Sequence, residues 1–261
     1  MMETPNKGFG ICVVAVAPLR AEGSDRAEMV SQVLFGEHVT VIEKTDKWWL
    51  IQNAYDGYEG WIDFRQLTAI DQETFVRLEA PGHLVPLQAG LAVHHPEWGR
   101  TFLSPASPLP FYDNGTCRLG GHTFTLNFEP YLPGQEDLIG MARFFRNTPY
   151  LWGGRNLSGI DCSGFCQTIF RLGGIRLRRD ASQQAEQGSL VAFLAEARDG
   201  DLAFFDNEQG RITHVGMMIG NDTIIHASGK VRIDRIDDQG IFNAELGRYS
   251  HRLRILKRFM E

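Results

Sequence analysis

An amphipathic helix that begins at a cysteine is the sequence feature that most constrains the fold of this chain. Apolar residues recur at spacings of three and four, and a pair of glycines ends the run. The apolar positions are Cys162, Phe165, Cys166, Ile169 and Phe170, and the glycines are Gly173 and Gly174. The spacing predicts a helix that buries one face and carries Cys162 in its first turn.

A cysteine in this position can act as a nucleophile. Unpaired backbone N–H groups and the positive end of the helix dipole favour an anion at a helix N-terminus, so we expect a lowered thiol pKa at Cys162. Asp161 is suited to cap the same turn. The alternative is that Cys162 is a small buried apolar side chain, which is the interpretation we adopt for Cys166 one turn further on.

Two later histidines can complete the site of a cysteine hydrolase. Residues 211–219 and 223–227 have strand patterns, and three residues with turn chemistry separate them. If all three form the loop, His214 and His226 lie on one face as diagonal neighbours. A two-residue loop would place them on opposite faces, because side chains alternate along a strand.

The two histidines are predicted to have different roles. His214 lies nearer to the cysteine in sequence and precedes a valine and a glycine, so it is the better candidate for the general base. His226 would bind the far nitrogen of His214 and orient the ring, as the third member of a triad does. A charged His214 beside Cys162 would stabilise the thiolate as an ion pair.

Composition excludes several functional classes. With 261 residues, of which 43% are hydrophobic, the chain can bury a sizeable core and form more than one domain. The net charge of -6 gives no indication of the basic surface that binds nucleic acid. Four cysteines in a chain of this length do not make a disulfide framework, so a reducing compartment is expected. Cys162 and Cys166 alone cannot fill a zinc site, so we expect neither metal nor cofactor.

The sequence contains no pattern for a membrane partner or for export. No stretch approaches eighteen consecutive apolar residues, and residues 1–7 lack the basic segment and apolar run of a signal peptide. If Met1 is the native start, a cytoplasmic location is expected. The oligomeric state is left open.

The chain ahead of the helix is predicted to form two small β-barrels. Residues 1–70 contain five short strand patterns with tight turns, which is typical of such a barrel. These patterns lie at 11–17, 30–34, 38–43, 48–53 and 60–63. Residues 71–130 begin with a predicted helix over 71–79 and continue with apolar pieces at 90–93, 101–103, 109–112 and 123–128, which we interpret as a second, divergent barrel. A helix over 136–145 is predicted to open the catalytic domain, residues 131–261.

Six short motifs in the last half of the chain resemble those of the NlpC-type (NlpC/p60) cell-wall cysteine peptidases. In order they are YLWGG (150–154), DCSGF (161–165), RDASQQ (179–184), GDLAFF (200–205), HVG (214–216) and IHA (225–227). The resemblance implies an α+β chain with a papain-like catalytic domain that hydrolyses amide bonds of peptidoglycan peptides. The bond implied is commonly the one from the γ-carboxyl of D-glutamate to the diamino acid. The motifs LFGE (34–37), WWL (48–50) and GYEGWI (57–62) resemble bacterial SH3-like domains.

Within that family the chain is most similar to the dipeptidyl-peptidase VI group. The resemblance implies a free murein tripeptide or tetrapeptide as substrate and release of L-Ala-D-Glu during recycling. It also implies that Glu37 and Tyr58 of the first barrel contribute to a closed pocket for an unblocked L-alanine amine. In the catalytic domain it adds Trp152 as an apolar wall, Asp161 and Ser163 beside the nucleophile, and Asp180 as a carboxylate facing the ammonium.

Other functions share the same motifs. A general peptidoglycan endopeptidase or amidase would use the SH3-like domains as wall-targeting modules. An acyltransferase of related design would use the same triad on another carbonyl. A noncatalytic wall-binding protein would not need Cys162, His214 and His226 together, and their joint presence argues against it.

Overall fold

A computed structural model describes residues 8–134 and 137–260, which belong to two compact units, Met1–Gly134 and Gln135–Glu261. The seven N-terminal residues, whose sequence bears on export, lie outside the described residues. Among the helices of the described ranges, none has the length and apolar character that a membrane crossing requires.

Unit 1 begins with a seven-stranded antiparallel sheet that wraps around an apolar core. Its strands are β1 (Gly8–Cys12), β2 (Val16–Arg20), β3 (Met29–Leu34), β4 (His38–Lys44), β5 (Trp48–Asn53), β6 (Glu59–Asp63) and β7 (Leu67–Ile70), in the order β3-β2-β6-β5-β4-β1-β7. Buried residues of alternate positions, such as Val39 and Val41 on β4, form the core. A short 3-10 turn, Phe64–Gln66, precedes β7.

The predicted strand over 11–17 is wrong. The chain leaves β1 after Cys12 and resumes as β2, which continues through Pro18 to Arg20. Pro18 lies opposite Gln32 of β3, and the pairing of β2 with β6 is at Arg20 and Trp61. A residue without an N–H is tolerated at such a position, so the proline does not end the strand.

The rest of unit 1 contains a helix and a second antiparallel sheet. The elements are α1 (Gln72–Leu78), β8 (Ala92–His95), β9 (Gly99–Phe102), β10 (Thr116–Leu119) and β11 (His122–Leu126), with strand order β10-β11-β8-β9. The predicted helix over 71–79 is confirmed: Asp71 caps it by accepting a hydrogen bond from the Thr74 backbone N–H at 2.7 Å. The apolar piece at 109–112 lies outside these strands. A second SH3-like barrel stays a prediction.

Unit 2 packs helices against a sheet that closes on itself. Its helices are α2 (Leu138–Phe144), α3 (Cys162–Leu172) and α4 (Ala181–Gln184), with a 3-10 turn at Leu194–Glu196. Its strands are β12 (Arg155–Asn156), β13 (Gly159–Ile160), β14 (Ser189–Val191), β15 (Leu202–Asp206), β16 (Ile212–Met218), β17 (Thr223–Ser228), β18 (Lys230–Asp237), β19 (Gly240–Asn243) and β20 (Arg248–Arg258).

The sheet of unit 2 has the order β14-β20-β15-β16-β17-β18-β19, and β19 also pairs with β20. That additional pairing closes β15 to β20 into a ring. Helix α3 packs against β16 and β17, so the first turn of α3 lies next to the strands that carry His214 and His226. The predicted helix over 136–145 corresponds to α2, with Glu136 outside the described residues.

Candidate active site

Helix α3 begins at Cys162, as the spacing of its apolar residues predicted. Asp161 is the N-cap residue, and its Oδ1 accepts a hydrogen bond from the Gly164 backbone N–H at 2.7 Å. Its Oδ2 accepts another from the Gly153 N–H at 2.9 Å. A Cβ atom on Gly164 would lie 2.4 Å from the Gly154 carbonyl oxygen. The glycines therefore allow the loop before α3 to pack closely against its first turn.

A buried arginine that sequence reasoning missed holds the residues around the nucleophile. Arg179 Nη2 lies 2.5 Å from Asp161 Oδ2, and its Nη1 lies 3.0 Å from Asp161 Oδ1 and 2.9 Å from Ser163 Oγ. All three side chains are buried. Asp161 and Ser163 therefore organise the turn that carries Cys162, and their contact with substrate stays a prediction.

The Cys162 thiol is neutral in this environment. Burial raises its pKa to about 12, and the neighbouring Asp161 carboxylate raises it further, against hydrogen bonds from the backbone of Val215 and Ser163. The predicted low thiol pKa is wrong, because desolvation of the sulfur outweighs the helix terminus. The bond from Val215 places the sulfur beside the residue that follows His214.

The tyrosine of the YLWGG motif, Tyr150, lies close enough to the nucleophile to interact with it electrostatically. Burial raises the pKa of Tyr150, and the neighbouring Cys162 and Asp161 side chains raise it further. The phenol therefore stays protonated at neutral pH and can donate a hydrogen bond. The motif marked this segment as part of the resemblance, but it gave Tyr150 no role.

The two histidines lie on one face of neighbouring strands, as a three-residue loop requires. The Ile219 N–H donates to the Thr223 carbonyl at 3.0 Å, and Gly216 pairs with His226 across β16 and β17. His214 Nε2 lies 2.8 Å from His226 Nδ1. A Cβ atom on Gly216 would lie 2.8 Å from His226 Cβ, so a glycine there leaves room for the second histidine. The predicted pairing is confirmed.

His226 binds a buried aspartate that the sequence analysis did not single out. Its Nε2 lies 2.9 Å from Asp234 Oδ2, and both side chains are buried. Burial alone would raise the pKa of Asp234, but hydrogen bonds from His226 and Arg232 outweigh it and lower the pKa to about 2. Asp234 is therefore a carboxylate at neutral pH and can only accept hydrogen bonds.

The hydrogen bonds determine which ring nitrogens carry protons. Burial lowers the pKa of His226, and it lowers the pKa of His214 well below its ordinary value, so both rings are neutral near pH 7. Because Asp234 only accepts, His226 Nε2 carries a proton and its Nδ1 is an acceptor. His214 Nε2 must then donate to that Nδ1. This leaves a lone pair on His214 Nδ1, which is the nitrogen that can accept a proton from a thiol.

A third histidine lies against this pair. The His251 ring stacks on His214 with centroids 4.0 Å apart and an interplanar angle of 23°. Burial lowers the pKa of His251 to about 4. His251 also lines a cavity of about 800 Å³ together with Thr213 and Arg252. No motif or alternation pattern marked His251, because it reaches the site from β20, far along the chain.

The three histidines do not fit a metal ion as they are arranged. One ring nitrogen from each lies within 4.8 Å of the others. However, a zinc ion binds imidazole nitrogens about 2.0–2.1 Å away, along lone pairs that lie in the ring planes. The nearly parallel stacking of His214 and His251 keeps their lone pairs from converging, and His214 and His226 are joined by a direct hydrogen bond.

The remaining predicted residues of unit 2 lie near the start of α3 and α4. Asp180 is the N-cap residue of α4, and its backbone N–H donates to Gln183 Oε1 at 3.1 Å. Gln184 Nε2 donates to the Ser163 carbonyl at 3.0 Å and so fixes α4 beside α3. Trp152 is 58% exposed and can present an apolar surface to a ligand.

Glu37 and Tyr58 have defined places in the barrel of unit 1. Glu37 is buried, and its Oε2 accepts hydrogen bonds from the Leu34 backbone N–H at 2.9 Å and from Asn53 Nδ2 at 3.1 Å. The Tyr58 carbonyl accepts from the Asn53 backbone N–H at 2.9 Å, and its ring packs on the barrel core. Glu37 is thus not a solvated turn residue, and both assignments to substrate binding stay predictions.

Comparison with known proteins gives one family match in each unit. Residues 147–247 match the NlpC/P60 family, and residues 19–67 match the bacterial dipeptidyl-peptidase SH3 domain. The chain is 32% identical to the γ-D-glutamyl-L-lysine dipeptidyl-peptidase of Bacillus subtilis, over 76% of this chain and 71% of that one. It is 25% identical to dipeptidyl-peptidase 6 of Lysinibacillus sphaericus, over 88% and 92% of the two chains.

A solved structure shares the fold. The crystal structure of an NlpC/P60 family protein from Bacillus cereus matches with a TM-score of 0.77 and 24% identity, covering 97% of this chain and all of the other.

Proposed function

The chain belongs to the NlpC/P60 family of cysteine peptidases, and on that premise we propose that it hydrolyses the bond between γ-D-glutamate and an L-diamino acid in murein peptides. The products are L-Ala-D-Glu and the diamino acid or its peptide. We assign Cys162 as nucleophile, His214 as general base and His226 as the residue that orients His214. The observation that carries the assignment is the hydrogen-bonded histidine pair, which leaves a lone pair on His214 Nδ1.

The proposed mechanism starts from a neutral thiol and a neutral imidazole. His214 Nδ1 takes the thiol proton while Cys162 Sγ attacks the γ-carbonyl carbon of D-glutamate. The Cys162 backbone N–H stabilises the oxyanion, and the protonated Tyr150 phenol is suited to assist. His214 then returns the proton to the departing amine, which leaves a thioester. Water, with His214 again as base, hydrolyses the thioester and restores the thiol.

Recognition of a free substrate amine is the second part of the proposal. The names of two relatives specify dipeptidyl-peptidases, and such an enzyme must recognise the end of its substrate. We assign Glu37, Tyr58 and Asp180 to binding of the ammonium, and Trp152 to the apolar part of the substrate. A released peptide as substrate accords with the predicted cytoplasmic location, which stays a prediction.

The direct test is hydrolysis of a defined peptide. We expect the purified protein to cleave L-Ala-γ-D-Glu-L-Lys, its diaminopimelate analogue, or both, and to release L-Ala-D-Glu that liquid chromatography with mass spectrometry identifies. The α-linked peptide L-Ala-α-D-Glu-L-Lys is the matched control and should stay intact. Failure to cleave either γ-linked peptide would contradict the proposal.

The pH dependence of kcat should reflect a neutral histidine base. Because burial lowers the pKa of His214, the ring is unprotonated at neutral pH and gains a proton only as the pH falls well below 6.5. We therefore expect kcat to be level from about pH 6.5 to about pH 9 and to fall only on the acidic side. The appropriate constant is kcat, because the substrate amine itself titrates near pH 8 and affects kcat/KM. A loss of kcat between pH 8 and 9 would indicate an imidazolium that must stay protonated, as in a preformed ion pair.

A further inference from the structure

A buried polar chain continues beyond the two histidines to an aspartate and an arginine. On β18, Asp234 lies opposite Ile224 of β17, and Arg232 lies opposite His226. Arg232 Nε is 2.6 Å from Asp234 Oδ2, and Arg232 Nη2 is 2.9 Å from Asp234 Oδ1. Arg232 Nη1 also binds Glu245 Oε2 at 2.9 Å, at an exposed side chain. The chain therefore runs from the proposed base to the surface of unit 2.

We propose that Asp234 is a positioning residue for the histidine pair, and that Arg232 holds its carboxylate in place. This inference rests on the proposed peptidase function and deepens it. Asp234 is 8% exposed, and it reaches the reacting atoms only through His226 and His214. Its role is to fix the protons on both rings and to offset the positive charge that forms on His214 during attack.

The proton arrangement depends on an acceptor at His226 Nε2. A carboxylate requires His226 Nε2 to be protonated, so His226 Nδ1 is an acceptor. The hydrogen bond between the rings then requires a proton on His214 Nε2. If His226 Nε2 lost its acceptor, the pair could reverse: His226 Nδ1 would donate to His214 Nε2, and His214 Nδ1 would carry the proton. The nitrogen that should act as base would then have no lone pair.

The charge of Asp234 matters because the site is buried. When His214 accepts the thiol proton, a positive charge forms in a place where burial already disfavours it. The hydrogen bond and charge of Asp234 raise the pKa of His226 against the effect of burial. The fixed Asp234 carboxylate, which binds His226, therefore stabilises the charged state of the histidine pair without taking a proton itself.

Arg232 keeps the carboxylate ionised and oriented. Its guanidinium makes two hydrogen bonds to the two oxygens of Asp234, which is the bidentate geometry that arginine favours. If Arg232 is replaced, Asp234 still accepts from His226. Loss of Arg232 should therefore affect catalysis less than loss of the Asp234 charge.

The decisive variant is Asp234→Asn, which keeps the shape of the side chain and removes its charge. A triad aspartate in direct contact with the base contributes about 10⁴ in kcat, and Asp234 acts through one more ring, so we expect kcat on the γ-linked tripeptide to fall roughly 10²-fold. KM should change by no more than about twofold, because Asp234 touches no substrate. Asp234→Glu should restore part of the loss, and Arg232→Gln should lower kcat less than Asp234→Asn.

Asp201→Asn is the matched control. Asp201 is another buried aspartate of unit 2 paired with an arginine, Arg258, at 2.7 Å. Its replacement should lower thermal stability to a similar extent and leave kcat unchanged. If Asp201→Asn lowers kcat as much as Asp234→Asn does, or if Asp234→Asn keeps kcat within about threefold of the original protein, the inference is wrong.

A spectroscopic measurement separates this inference from the proposed function. In the original protein labelled with ¹⁵N-histidine, we expect His214 to show a protonated Nε2 and an unprotonated Nδ1 at pH 7, with assignment by His214→Gln. A protonated Nδ1 on His214 would overturn the inference even in an active enzyme. If no γ-linked peptide is cleaved but the ring protons are as expected, the proposed function fails and the proton arrangement stands. If Asp234→Asn does not fold, Asp234→Glu, Arg232→Gln and this spectrum decide the matter.

Discussion

Cys162→Ala should reduce hydrolysis of γ-linked murein tripeptide by at least about 10⁴-fold in kcat, because nucleophile and base act as one unit and no other group can form the thioester. The measurement is release of L-Ala-D-Glu at saturating substrate. Cys166→Ala is the matched control. Cys166 is buried one turn further along α3, so its replacement should cost some stability but leave turnover nearly unchanged.

The two histidine variants should differ in residual activity in the same assay. His214→Ala should be as damaging as Cys162→Ala, since it removes the proton acceptor. His226→Ala should lower kcat but leave measurable activity, since it removes only the partner of His214 Nε2. Substantial turnover by well-folded Cys162→Ala would contradict the mechanism. Equal losses from the two histidine variants would contradict the division of roles between them.

The parts of the site that lie close together in sequence could be predicted from it. The spacing of apolar residues located the start of α3 at Cys162. Of the two loop lengths that the sequence left open, the three-residue loop is the one that places His214 beside His226. Both depend on local geometry, namely the helical period and the alternation of a hairpin. Neither requires knowledge of which distant strands become neighbours.

The rest of the site depends on tertiary contacts that the alternation of residues along a strand cannot predict. Asp234 joins the site because β18 pairs with β17, and His251 joins it because β20 crosses the sheet to lie beside β15. Arg179 could have been suspected only as a partner for the capping Asp161. The strand predicted at 11–17 is wrong for a related reason: the chain leaves β1 after Cys12 and resumes at Val16 as β2, which pairs with β6 only at Arg20 and so tolerates Pro18.

The thiol pKa shows how local reasoning fails when burial is ignored. A helix N-terminus favours an anion, but that effect is worth about 0.3–1 kcal/mol at an exposed site. Desolvation of a fully buried group shifts its pKa by up to 3–5 units, at about 1.4 kcal/mol per unit. The burial of Cys162 follows from the packing of α3 on β16, which the sequence does not reveal. A neutral thiol and a neutral base are the result.

The prediction that separates a dipeptidyl-peptidase from a general wall endopeptidase concerns the substrate amine. Acetylating the L-alanine of L-Ala-γ-D-Glu-L-Lys removes the positive charge and leaves any carboxylate that binds it unpaired. Leaving a buried charge without its partner costs on the order of 2 to 5 kcal/mol. Since 1.4 kcal/mol is tenfold, kcat/KM should fall roughly a hundredfold or more. Intact peptidoglycan, whose stems begin with an amide, should also be a poor substrate.

Glu37→Gln tests which group recognises that amine. The amide can still accept a hydrogen bond from the Leu34 N–H, so the barrel should fold, but the negative charge is lost. We expect kcat/KM on the free tripeptide to fall while the low rate on the acetylated peptide barely changes, so the ratio between them narrows. Asp63→Asn is the control, because Asp63 is a carboxylate of the same barrel that is paired with Arg65 and should not affect this ratio. Comparable rates of the original protein on free and acetylated peptide would refute amine recognition. The SH3-like part of the chain would then be better explained as a targeting module, because a peptidase that accepts blocked amines can act on the wall itself.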